Sequence, residues 1–255
     1  MRHLALLLCL LAAPAAAQPL RASYGVQAAG MTVMEVRALL DLARPGAYLI
    51  ETQFRPVGLA ARLFPGEQTT RAEGRLSADG PRPLSYLTEG VWRGEPRRVR
   101  LDYRDGLPSV GAMEPPNDRE REAVPAEMAR NTVDNLTAIV LLARQSAETG
   151  RCDGEAAVFD GRRRLDVTAR TEGWFTLPGA RGQQAGPLLR CRLESRLVAG
   201  FRFSEDRATA ARPQRSIVWI APPREWGAGL PVRVEFESRL AGTLVAELRE
   251  LERAR

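Results

Sequence analysis

CDGEAAVFDGRRRLDVTAR, residues 152–170, holds two runs in which apolar and polar residues alternate, with Asp160-Gly161 between them and three arginines in a row just after. A period of two is the mark of a strand with one covered face. Asp-Gly between two such runs is a strong signal for a two-residue hairpin turn. With Asp160-Gly161 as that turn, Val158 and Ala156 share a face with Leu165 and Val167. Phe159 and Ala157 then share the other face with Arg162 and Arg164, where a guanidinium can lie over the ring. The acidic spacing of a calcium-binding EF-hand loop is missing from the stretch.

The same alternation extends in both directions. Met34, Val36, Ala38, Leu40 and Leu42 lie on one face, against Glu35, Arg37 and Asp41 on the other. Tyr48, Ile50, Thr52 and Phe54 repeat it, as do Val232, Val234 and Phe236, and Leu244, Ala246 and Leu248. Further strands are expected near 68–77, 83–93, 96–104, 155–160, 162–171, 188–199 and 215–221. Short turns between such strands predict a mainly β, β-rich α+β fold: one large, curved antiparallel sheet packed against one main helix. That helix is read from NTVDNLTAIVLLAR, where Asn131 is the expected N-cap and Asp134 follows three residues on. Val133, Leu136, Val140 and Ala143 recur at helical spacing, and Ile139 widens the apolar stripe. Residues 106–125 have no clear period and read as a long mobile loop. Residues 55–67 cluster Val57, Leu59, Ala60, Leu63 and Phe64 between prolines, as a short helix or apolar loop at one mouth of the sheet.

The first residues place the protein in a compartment. A basic start at Arg2, an apolar run from Leu4 to Ala13 and Ala15-Ala16-Ala17 form a secretory signal peptide over residues 1–17, with cleavage expected after Ala17. Residues 18–255 then form a single domain in the periplasm, or secreted beyond it. No later stretch reaches the roughly 18 apolar residues of a membrane-spanning helix. Cys152 and Cys191 are the cysteines left after the signal peptide, and in an oxidising compartment an isolated pair reads as a disulfide.

Composition removes whole classes of chemistry. The only histidine is His3, inside the signal peptide, and all basic side chains apart from it are arginine, since the chain has no lysine. Residues 18–255 therefore cannot build a Ser-His-Asp triad, a Cys-His pair, a His-ligated zinc site or a Schiff base. No catalytic residue, cofactor or metal ligand is assigned. The formal charge of +6 is basic, but arginines alternate with acids along strands, which argues against nucleic-acid binding.

Several short motifs along the chain resemble the DUF3108 proteins, exported bacterial proteins of unknown function. They are Tyr24-Gly25-Val26 with Gly30, Gly58-Leu59 to Leu63-Phe64, Arg82-Pro83-Leu84-Ser85-Tyr86 and Arg97 to Tyr103. Asp134-Asn135-Leu136-Thr137-Ala138 and Val158 to Arg163, with Cys152 and Cys191 around the last, complete the set. Thr137 stands where the family pattern has serine. The resemblance implies a β-rich envelope protein with no catalytic residues to carry over. Its architecture is similar, by analogy of fold alone, to the half-barrel of lipoprotein carriers, which cup acyl chains.

The leading expectation is a non-enzymatic binder of a lipid or other apolar ligand in a groove of the sheet. Leu59, Leu63 and Phe64 are its candidate lid, and Arg162, Arg163 and Arg164 its candidate grip on an anionic head group. Two other readings stay open: an envelope scaffold with a filled core that binds a protein partner, and a carboxylate-dependent glycan hydrolase. Periodicity looks alike in a filled core and in an open groove.

Overall fold

A computed structural model describes residues 18–178, 184–223, 228–238 and 242–254. The leader 1–17 lies outside them. Thirteen strands form one antiparallel sheet. In chain order they are β1 (Leu20–Ala28), β2 (Met31–Asp41), β3 (Ala47–Pro56), β4 (Gly66–Ser77), β5 (Gly80–Trp92), β6 (Glu95–Arg104) and β7 (Leu107–Glu114), then β8 (Gly154–Phe159), β9 (Arg164–Thr176), β10 (Pro187–Ala199), β11 (Gln214–Ala221), β12 (Leu230–Ser238) and β13 (Gly242–Arg253). Helices α1 (Gly58–Leu63), α2 (Ala126–Ala129), α3 (Asn135–Thr149) and α4 (Arg207–Ala210) interrupt them.

The sheet order is β7-β6-β5-β4-β3-β2-β1-β13-β12-β11-β10-β9-β8. The first seven strands meander outward, the last six meander back, and β1 pairs with both β2 and β13. Ala254 N donates to Pro19 O at 2.7 Å, so the two ends of the described chain lie side by side. A strand order this long, each step twisted the same way, curls the sheet around its contents.

The two edges, β7 and β8, do not pair with each other. The β8–β9 tip instead tucks against the inner face of β6. Phe159 is buried with Val99, Leu101 and Tyr103, and Arg162 Nη2 donates to the carbonyls of Glu114 and Pro115 at 2.7 and 2.8 Å. Val133 covers the free edge of β8: its N–H donates to Ala157 O and its carbonyl accepts from Phe159 N–H, both at 2.9 Å. At that bridge the β8 edge is closed to strand addition.

The hairpin that opened the sequence reading is present, with its turn one residue further on. Asp160 N donates to Arg163 O at 3.2 Å, so Gly161-Arg162 are the central residues, with Gly161 at φ 88°. The reason is the Asp160 carboxylate, whose Oδ1 accepts from Arg162 N and Arg163 N at 2.9 and 2.7 Å and fixes Asp160 as the first residue of the turn. Val158 consequently pairs with Leu165 and Ala156 with Val167, which keeps the predicted faces. Phe159 is not on a charged surface under a guanidinium, because its end of β8 is packed into the core with Val99, Leu101 and Tyr103. Glycine is required at 161 twice over: its φ is positive, and a Cβ there would come within 2.4 Å of Val99.

Helix α3 lies inside the curl. Leu136, Thr137, Val140, Ala143 and Ser146 are its buried residues. Asp134, not Asn131, is the N-cap, accepting from Leu136 N and Thr137 N at 2.9 and 2.8 Å. Asn131 instead turns the chain at φ 54°. This places Val133 outside the helix, on the β8 edge. The far end of α3 is gripped by Gly229, whose N–H donates to Ala143 O at 2.9 Å. A Cβ on Gly229 would lie 2.1 Å from Ser146 Oγ, so only glycine allows this approach.

Segment 106–125 is ordered, against the expectation of a mobile loop. It opens with β7, and its far end forms a short ladder in which Glu122 N donates to Phe201 O at 2.9 Å and Phe203 N to Glu120 O at 3.2 Å. This ladder sets Arg121 beside Arg202. Cys152 and Cys191 form a disulfide with Cα atoms 6.1 Å apart, both fully buried.

Candidate ligand groove and arginine cleft

Helix α3 fills one half of the curl and leaves the other half partly open. On the filled side it packs against β3–β6, where Tyr48, Tyr86 and Tyr103 join Ile50, Leu101, Leu136 and Val140. A buried polar chain fixes it there. Thr137 Oγ1 donates to Asp134 Oδ2 at 2.6 Å, which leaves Tyr48 Oη, 2.7 Å away, to donate to Thr137. Burial raises the Asp134 carboxyl above its ordinary value despite the hydrogen bonds from Thr137 and Leu136 that oppose the rise. Burial likewise raises the Tyr48, Tyr86 and Tyr103 phenols. Tyr48 and Tyr86 hydrogen-bond within the core, the Tyr103 hydroxyl is buried without a hydrogen-bond partner among the described residues, and all three phenols stay neutral.

On the open side, Ile139 and Leu142 of α3 face Val158, Leu165, Val167 and Leu193 across a groove of about 340 Å³. The pairings Val158–Leu165, Leu165–Leu197 and Ala169–Leu193 put these strand residues on a single sheet face. Ile139 is 40% exposed although most of the side chains across the groove are apolar, Glu155 being the charged exception. The stripe residue that the helical periodicity adds is thus the exposed one.

A second cleft, of about 660 Å³, opens at the Asn135 end of α3 among Tyr86, Trp92, Arg97, Arg121, Arg162 and Arg163. Most of its arginines have internal partners. Arg97 Nη1 donates to both Glu120 oxygens at 2.7 and 2.8 Å, and Arg162 Nη1 lies 3.9 Å from the same carboxylate. Burial pushes Glu120 up, but the Arg97 hydrogen bond and the charges of Arg97 and Arg162 pull it further down, to a net value below the usual range. Arg163 is bound to Asp160 Oδ2 at 2.7 and 2.9 Å. The Asp160 charge is the leading cause that raises this guanidinium.

Arg121 is different. It is 8% exposed, its Nη1 donates to Gly200 O at 2.9 Å, and among the described residues no carboxylate is in ion-pair contact with it. Burial, followed by the charges of Arg163 and Arg202, pushes it down to about 10, which leaves it a cation at neutral pH.

The sequence-derived candidates are distributed unevenly over these features. Arg162 and Arg163 line the larger cleft, but they also strap the β8–β9 tip to its surroundings. Arg164 has internal partners: its Nε donates to Met128 O at 3.0 Å, and its Nη1 meets Asp166 Oδ1 at 2.8 Å. Leu59 and Leu63, 68% and 60% exposed, sit on α1 against β2 and β3 and line none of the clefts described. Phe64 reaches the site only through Arg93, whose guanidinium lies 5.3 Å from its ring centre and which itself lines the larger cleft. The structure does not bring these three apolar side chains to the groove. Arg121 and Arg202 were not singled out by the sequence, and a general excess of arginine was the only trace of them. No group of three or more His, Cys, Asp or Glu is placed to hold a metal among the described residues, and no helix there is long and apolar enough to cross a membrane.

The sheet wraps on a helix and leaves an apolar groove beside a cationic cleft. The chain belongs to the family described as "Protein of unknown function (DUF3108)", whose model matches residues 20–249. No curated protein matches it. Among solved structures it is similar in fold to a β-barrel-like protein of the DUF1849 family from Brucella abortus, with a TM-score of 0.56 at 13% identity over 93% of this chain and 98% of that one. A protein of YmcC-like fold from Bacteroides fragilis aligns at a TM-score of 0.34 and 9% identity, over 92% of this chain and 95% of that one.

Proposed function

We propose that this protein is a non-enzymatic binder of lipid or acyl-chain ligands in the cell envelope. The groove between α3 and β8–β10 carries the reading. Its walls are almost wholly apolar, its volume of about 340 Å³ lies in the range of small-molecule sites, and Ile139 stands exposed at its mouth. The missing histidine and lysine in residues 18–255 support a binding role over a catalytic one. The signal-like leader supports export to the periplasm.

The groove makes a quantitative demand on its ligand. Burying a methylene is worth about 0.8 kcal/mol, so a series of saturated fatty acids should gain about fourfold in affinity per added carbon until the groove is full. Displacement of a fluorescent fatty-acid probe measures this directly. Leu193→Arg, which places a charge in the apolar wall, should abolish the chain-length dependence. A flat series in the unmodified protein would remove the groove as a binding site.

A further inference from the structure

The arginine cleft continues past Arg121 onto the sheet face that also lines the groove. There Arg121, Arg163, Arg202 and Arg212 surround a cleft of about 310 Å³ in which Glu205 is the only acid. Leu165 lines both this cleft and the apolar groove. Ser195 and Leu197 carry the same face of β10 onward from Leu193, with Ser195 opposite Val167 and Leu197 opposite Leu165. Leu193 and Leu197 lie four residues apart on β10, roughly 13 Å at about 3.3 Å each, so this face runs from the apolar wall into the cationic cleft, with Leu165 common to both.

We propose that this cleft receives the phosphate of an amphiphile whose chain lies in the groove. The proposal deepens the acyl-binding reading and rests on it for the apolar half. The cationic half has its own support. Arg163 is neutralised by Asp160, and Arg202 shares Glu205 at only 3.9 Å. Arg121 and Arg212 have no ion pair among the described residues. Arg121 is buried beside the charges of Arg163 and Arg202, with Asp160 and Glu205 opposing them only from beyond ion-pair contact, so a ligand oxyanion would supply the close counter-charge it lacks. Phosphate fits better than a single carboxylate, because several guanidiniums converge and each can donate two parallel N–H bonds to phosphate oxygens.

The test is calorimetric titration of the disulfide-bonded protein, residues 18–255, with dihexanoyl phosphatidic acid, dihexanoylglycerol and inorganic phosphate. Phosphatidic acid should bind at least tenfold more tightly than the neutral glycerol. Arg121→Met and Arg212→Gln should each reduce that ratio severalfold. Arg212 is exposed, so its variant remains informative if Arg121→Met does not fold. Equal binding of phosphatidic acid and dihexanoylglycerol overturns the phosphate site and leaves the acyl groove standing. Inorganic phosphate binding as tightly as phosphatidic acid, in an Arg121-dependent way, upholds the oxyanion site and rejects the acyl groove. No binding of any phosphate-bearing probe overturns the proposal.

Discussion

Replacing Asp134 by alanine tests how α3 is held inside the curl. The carboxylate accepts from Leu136 N at 2.9 Å, Thr137 N at 2.8 Å and Thr137 Oγ1 at 2.6 Å, all buried. Losing an N-cap costs about 1 kcal/mol, up to about 2. Each buried donor left without a partner adds about 1–3 kcal/mol. Removing the carboxylate also relieves the burial penalty that raises its pKa, so the net loss should be about 2–4 kcal/mol. Asp134→Asn keeps an acceptor oxygen for the two N–H groups and should cost about 1 kcal/mol or less at low pH. The sign of its pH dependence follows from the raised pKa. A carboxyl that binds its proton more tightly when folded stabilises the fold most below its unfolded pKa of about 4. That contribution declines as pH rises towards the folded value. The asparagine variant should therefore gain on the unmodified protein from about pH 4 upward. Urea unfolding followed by tryptophan fluorescence, at pH values from 3.5 to about 7, measures both effects. A loss below about 1 kcal/mol for Asp134→Ala would refute the idea that a buried cap seats the helix.

The other perturbations address separate parts of the structure. Replacing Cys152 and Cys191 together by alanine opens a loop with a sequence separation of 39, and should cost about 4 kcal/mol in the chain-entropy model, seen as a lower urea midpoint than that of the oxidised protein. Asp153 is held down to about 2, first by the Thr171 backbone N–H and then by its hydroxyl. Its contribution should be complete above about pH 4 and be lost as pH falls from there towards 2. Melting curves of Asp153→Asn should lack that part of the acid transition. Leu63→Asp with Phe64→Asp alters α1 outside the groove and should leave fatty-acid affinity unchanged, with a stability loss of about 1 kcal/mol from the Arg93–Phe64 contact. A drop in fatty-acid affinity would restore α1 as a lid.

The strands that were readable from the sequence are those with one dry face. Tyr48 to Phe54 appear as β3, with Tyr48 and Ile50 buried on one face, and Met34 to Asp41 appear as β2, where Ala38 and Leu40, with Leu42 just beyond, are only partly buried against the core. β1 escaped notice although it joins the two halves. Its register with β13 shifts between Ser23 and Tyr24, and such a bulge breaks the period of two. β7 escaped for the opposite reason: it is an edge strand with no buried residue, so nothing constrained its side chains to alternate. The helix was readable from Leu136, Val140 and Ala143, but its start was displaced to Asn131, since both Asn and Asp make good N-caps and only the pairing of Val133 with the β8 edge decides between them.

The candidate site was less readable. The run Arg162-Arg163-Arg164 drew attention by its density, yet such density also serves to tie down a hairpin tip, and the structure uses it that way. Arg121 is a single arginine in a segment without period, and its importance comes from what does not surround it. The groove depends on the distance between α3 and β8–β10, which no local pattern encodes. Ile139 was visible as part of a stripe, and the stripe is the same whether its partner is a side chain or a ligand.

Native mass spectrometry of the protein, purified from a bacterial envelope without detergent, tests the binding account most directly. The account predicts a population heavier than the polypeptide by the mass of one amphiphile, which organic solvent releases and which contains both an acyl chain and phosphate. A bare polypeptide, unchanged in mass after incubation with phospholipid, would contradict it.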